Sequence, residues 1–148
     1  MDDLTYLTLL RLYARQSHLI DSGDAPGWST TFTADGTFDS PSYAAPVRGR
    51  AALEDFAQAF TAGDEDAGTR TRHVVSTVDV VEAPVVEPDV VQVRAYLQIV
   101  TTPRDSTSRL VRHTVLHDEL VRVDGSWRVR HRRVTRDDQP HPTGEDLA

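Results

Sequence analysis

Residues 109–135, RLVRHTVLHDELVRVDGSWRVRHRRVT, decide the fold class. Two valine-rich runs, Arg109 to Val123 and Trp127 to Thr135, flank Asp124-Gly125. That dipeptide tolerates the positive φ angles of a tight hairpin turn, so the segment reads as two antiparallel strands. Working back, Thr71 to Val81 and Val90 to Thr101 have the same β-branched character, with Pro84, Pro88 and Pro103 marking looser connections. The second half of the chain is therefore a run of four strands.

The first half has a different period. Leu4 to Ile20 reads as a helix, capped by Asp2 or Asp3, with Leu7, Leu10, Ala14 and Ser17 recurring at steps of three and four. Asp21 is the next position of that series. It places a carboxylate at a helix C-terminus, where the macrodipole disfavours negative charge, so the position asks for a reason. A short second helix follows from Asp24 as cap, Pro26 in the first turn, and Trp28 with Phe32 four residues on. Ala34-Asp35-Gly36 turns the chain, and Thr37 to Tyr43 is extended. Arg50 to Ala62 is a third helix with Leu53, Phe56, Ala57 and Phe60 inward and Gly63 at its end, before an acidic loop over 64–68. Helices followed by strands give an α+β domain, a curved sheet of mixed or antiparallel strands wrapped around three helices with a central pocket. Leu7, Leu10, Leu53, Phe56, Phe60, Val91, Val93, Leu97 and Ile99 are expected to line or back it. The domain spans 1–136, and the polar segment 137–148 reads as a disordered tail.

Composition narrows the chemistry. The chain has 148 residues, 23 acidic and 16 basic, for a net charge of -7. Such a balance repels a phosphate backbone, so a nucleic-acid partner is not expected. No run approaches the roughly 20 apolar residues of a membrane span, and the acidic start MDDLTYLTLL is unlike a secretory signal, so a cytoplasmic location is expected. There is no cysteine, which excludes thiolate nucleophiles and disulfides. All 16 basic residues are arginine, which excludes Schiff-base catalysis by lysine. His113 and His117 share a strand face about 13 Å apart, too far to hold one ion. No metal and no cofactor are expected. Acid/base chemistry by Asp, Glu, His, Tyr, Ser and Thr remains.

The stretch YARQSHLIDSGDAPGWSTTFTADGTFDSP, followed by VRGRAALEDFAQAF, TRHVVSTVDV and HDELVRVDGSWRVRHRRV, resembles the SnoaL-like branch of the nuclear-transport-factor-2-like superfamily. Within it the chain is similar to scytalone dehydratase and to bacterial polyketide cyclases and dehydratases. The resemblance implies that Asp21 and His73 form a pair that polarises a water or substrate oxygen, acting as base and then acid. A family tyrosine falls at Ser40, with Tyr43 three residues on able to reach the same space. Ile20 stands where the family has another tyrosine, and the second family histidine falls near Val100 or Thr101. Asp118 and His131 form a second candidate pair, because some cyclases of this branch use an aspartate late in the sheet. Ser40, Tyr43, Thr114, Asp118 and His131 are the expected substrate contacts. A two-residue turn pairs Asp118 with His131 and a three-residue turn shifts the register by one, an alternative the sequence leaves open. Arg122, Arg130 and Arg132 equally fit an exposed salt-bridge face.

The implied activity is a lyase or cyclase acting on a small hydrophobic polyketide-like molecule, in the manner of antibiotic biosynthesis. A proton-shifting isomerase, an epoxide hydrolase and a non-catalytic subunit like those of oxygenases use the same fold. A homodimer through the outer face of the sheet is expected.

Overall fold

A computed structural model describes residues 1–81 and 87–140. The elements are α1 (Asp3–Asp21), α2 (Ala25–Ser29), β1 (Phe32–Asp39), β2 (Val47–Arg48), α3 (Arg50–Ala67), β3 (Thr69–Val81), β4 (Val90–Pro103), β5 (Arg109–Val123) and β6 (Ser126–Arg136). The six strands form one sheet in the order β2-β1-β6-β5-β4-β3. All neighbours are antiparallel except β1 and β6, which run parallel. Irregularities in register at Ser76/Asp79, Ile99/Val100 and Glu119/Leu120 bend successive strands. Extra residues of this kind increase local twist, and they curl the sheet around the helices, as expected of the curved sheet read from the sequence. Pro84 and residues 141–148 of the expected tail lie outside the described residues.

Local chemistry explains each element. Asp2 caps α1 by accepting the Thr5 amide N–H at 2.9 Å, and Asp24 caps α2 by accepting that of Gly27 at 2.8 Å. The inward face of α1 carries Leu9, Leu12, Tyr13, Gln16 and Ile20, which pack with Leu53, Ala57, Phe32, Val93, Leu116, Leu120 and Val129 in the core. The expected stripe is therefore rotated: Leu7 is 59% exposed, Ala14 is exposed, and Leu10 is half-buried. The start of α1 is apolar on several sides, so spacing alone does not single out one face. The polar groups Tyr13 and Gln16 turn inward because buried partners await them.

Further differences follow from backbone chemistry. Helix α3 runs through Gly63 to Ala67 and ends at Gly68, whose φ of 64° is the left-handed C-cap conformation. The expected acidic loop is the last turn of this helix. Phe32 starts β1 rather than ending a helix, and 34–36 form an irregular stretch of that strand, across which its pairing with β6 shifts. The short β2 was not visible in the sequence. Strands β3 to β6 lie within two residues of their expected bounds. Among the described residues, no helix is long and apolar enough to cross a membrane.

Candidate active site

The concave face of the sheet and the inward faces of α1 and α3 enclose a pocket with about 650 Å³ of empty space, its open mouth included. Trp28, Phe38, Phe56, Phe60, Leu97 and Ile99 make its apolar wall. The aromatic part is one cluster, with ring centroids of Trp28 and Phe56 at 5.8 Å and of Phe38 and Phe56 at 5.0 Å. The wall therefore presents aromatic faces and edges to the cavity.

Asp21 and His73 meet at this pocket. Asp21 is the last residue of α1 and His73 lies on the neighbouring β3. The carboxylate contacts His73 at two points: Oδ1 is 2.7 Å from the ring Nδ1, and Oδ2 accepts the backbone N–H at 3.1 Å. These bonds offset the cost of a negative charge at a helix C-terminus. The side chains are only 13% and 8% exposed for His73 and Asp21. A carboxylate only accepts, so Nδ1 carries the proton and Nε2 is left unprotonated in the neutral ring. His73 lines the pocket with Phe60 packed at 5.1 Å, while Asp21 stands behind it.

Ser40, Tyr43 and Thr114 also line the pocket. Ser40 is buried and accepts the backbone N–H of Ser42 at 3.3 Å. Thr114 is buried and donates to the Leu97 carbonyl at 3.0 Å. Tyr43, 38% exposed, leans its ring on Phe56 at 4.9 Å.

Asp118 and His131 are not brought together. The turn at Asp124 and Gly125 has two residues, both with positive φ, and Val123 pairs with Ser126. The ladder then bulges at Arg130, so that Leu120 faces Val129 but Glu119 faces His131 and Asp118 faces Arg132. The register is that of a two-residue turn as far as Leu120 and the one shifted by a residue from Glu119 on, because the extra residue sits inside the strand. His131 consequently lies on the outer face, its Nδ1 2.8 Å from the Thr37 hydroxyl.

Asp118, 1% exposed, accepts the Arg132 guanidinium through Nε at 2.9 Å and Nη2 at 2.7 Å. Tyr13 donates its phenol to the same carboxylate at 2.8 Å. Arg132 Nη2 also donates to the Gln16 side-chain oxygen at 2.8 Å, and Gln16 donates to Thr31. The guanidinium lies 5.6 Å from the centre of the Phe32 ring. Burial, with the Asp118 charge adding to it, pushes the Tyr13 phenol well above its ordinary range. Sequence reasoning missed Arg132, Gln16 and Arg112, all of which line the pocket. The signal for Gln16 was present: with Leu9, Leu12, Tyr13 and Ile20 it completes a stripe of helical period. Nothing in the HRRV run distinguished the inward arginine.

A curled six-stranded sheet closed over an apolar pocket, with a histidine and a carboxylate in contact at its wall, makes this a small α+β domain built around a cavity. The family model for the SnoaL-like domain matches residues 4–133, and the chain belongs to that family. It is similar to Aln2 from a Streptomyces species, with 30% identity over 93% of this chain and 94% of that one and a TM-score of 0.81. A Catenulispora acidiphila protein solved in complex with S-DNPA is 27% identical over 93% of this chain and 96% of that one, with a TM-score of 0.79. An NTF2-like protein with a cystatin-like fold from Novosphingobium aromaticivorans is 27% identical over 95% and 94% of the two chains, with a TM-score of 0.74. A comparison with curated proteins returns no match.

Proposed function

We propose that this chain is a cofactor-independent dehydratase or cyclase that uses acid/base catalysis on a small hydrophobic, polyketide-like hydroxy-carbonyl compound. The observation that carries the reading is the Asp21–His73 contact at the wall of an apolar pocket. In the first step Nε2 of His73 takes the proton next to the substrate carbonyl. The C–H electrons form an enolate, and Asp21 stabilises the imidazolium. In the second step the enolate electrons form the new C=C bond, the C–O bond of the neighbouring carbon breaks, and the imidazolium returns its proton to the departing hydroxide, giving water. Ser40, Tyr43 and Thr114 line the same space and orient substrate oxygens. The aromatic wall limits competing water and fixes the geometry. That the Catenulispora acidiphila relative was solved in complex with S-DNPA supports a ligand-binding role for a domain of this kind.

The test uses 3-hydroxy-1-tetralone, which loses water to give 1-naphthol, read by the growth of naphthol fluorescence. Wild-type protein accelerates this loss, and His73→Gln abolishes the acceleration with the fold retained. Equal turnover by His73→Gln removes the assignment.

A further inference from the structure

We infer that Arg112 forms an anion subsite in the pocket wall and that the molecule bound there carries a carboxylate; as a substrate class this rests on the function proposed above. Arg112, Ile99 and His73 occupy one row across three adjacent strands, Ile99 pairing with His73 on one side and Arg112 on the other. All three line the pocket. With strands about 4.8 Å apart, the backbones of His73 and Arg112 are separated by about 10 Å. A fused two-ring molecule spans that gap, with its acid group at one end and its reacting carbons at the other.

The neighbouring arginines are committed. Arg132 is held by Asp118 and Gln16, and Arg136 by both oxygens of Asp138 and by Ser42. Among the described residues, Arg112 makes no hydrogen bond and no ion pair. Its charge reaches Asp138 only through space, and that carboxylate is already occupied by Arg136. Besides His73, the lining residues able to carry charge are Arg112 and Arg132, with no Asp or Glu among the described lining residues, in a chain where acidic residues outnumber basic ones 23 to 16. Asp21 answers His73 and Asp118 answers Arg132, which leaves one half-buried guanidinium for the ligand to answer. A planar fork of donors matches a carboxylate in two parallel hydrogen bonds, which an ester or amide does not reproduce.

The experiment is calorimetric titration of the full chain with 3-hydroxy-2-naphthoic acid and with its methyl ester at pH 7.5. Wild-type protein is expected to bind the acid at least about 10-fold more tightly than the ester, the size of one charge-assisted pair. Arg112→Gln brings the acid to the level of the ester without weakening the ester. Arg112→Lys, which keeps the charge and loses the fork, falls between them. Arg136→Gln leaves the preference in place, which separates a specific pair from a general field. A wild-type protein without preference for the acid, whether it binds both probes or neither, overturns the inference, as does a preference that survives in Arg112→Gln. Acid preference without turnover of 3-hydroxy-1-tetralone leaves the subsite standing and removes the catalytic reading. Turnover without acid preference does the reverse.

Discussion

The phenol of Tyr13 donates to Oδ2 of Asp118 at 2.8 Å across 105 positions of sequence, tying the first helix to the fifth strand through a charge buried in the core. Tyr13→Phe keeps the ring and removes one bond to a buried carboxylate, so it should cost about 1.5–3 kcal/mol. Urea unfolding measures this, and a loss below about 0.5 kcal/mol, within the spread of surface substitutions, would mean that Arg132 alone satisfies Asp118. The raised phenol pKa has a defined sign. Its stabilisation is complete below the unfolded tyrosine value near 10 and is lost as pH rises from there toward the folded value. One tyrosine should therefore resist alkaline absorbance titration until the protein unfolds.

Gly63 and Gly68 should respond to alanine in opposite directions. A Cβ at either position meets nothing within 4 Å, so packing does not enter. Gly63 is inside α3, where alanine is the better helix former by about 0.5–1 kcal/mol. Gly68 has the left-handed φ, where alanine is strained by about 1–2 kcal/mol. Thermal unfolding should show Gly63→Ala above wild type and Gly68→Ala below it.

Asp21→Asn keeps the shape of the side chain and removes its charge, while His73→Ala removes the proton carrier. Each should lower turnover of 3-hydroxy-1-tetralone by about 100-fold or more. The double variant should lose little beyond the worse single one, because two groups that move one proton act as a unit. Multiplicative losses in steady-state kinetics would show that the two act separately.

His117 is held below the ordinary imidazole value by burial first and by the Arg133 charge next, with Arg94 across on β4 adding to it and Asp118 opposing. A depressed histidine means that the unfolded chain binds the proton more tightly. Stability is then full above the unfolded value near 6.5 and declines as pH falls below it, until the folded value is passed. Proton NMR should place the His117 midpoint below the ordinary imidazole value. Between pH 7.5 and 5.5, His117→Gln should lose less stability than wild type, and an equal loss would refute the assignment.

Much of this arrangement was legible from residue order. Strands β3 to β6 showed themselves because β-branched runs between turn residues have few other readings, and Asp21 with His73 emerged from the order of motifs shared with a family. The apolar stripe was a poorer guide. It put Leu7 and Ala14 inside and passed over Tyr13 and Gln16, since hydrophobicity carries no signal for polar groups that bury themselves on a distant partner. The Asp118 partner was misassigned for a related reason. A bulge at Arg130 needs no glycine or proline to announce it, yet it exchanges which of His131 and Arg132 faces inward. Gly63 misled because a glycine five residues short of the real cap carries the same sequence signal.

The parallel pairing of β1 with β6 joins an early strand to the last among the described residues, with Thr37 and His131 94 positions apart. On the ribosome, helices α1 to α3 and the first strands emerge long before the strand that completes the sheet between β1 and β5. Closing so distant a pair is entropically slow, and until then β1 and β5 each present an edge without its neighbour. Premature termination ahead of β6 therefore releases a chain with two open edges, the kind of surface that recruits other chains. Strand β6 is the checkpoint of synthesis: until it has been made, β1 and β5 are not safe from aggregation.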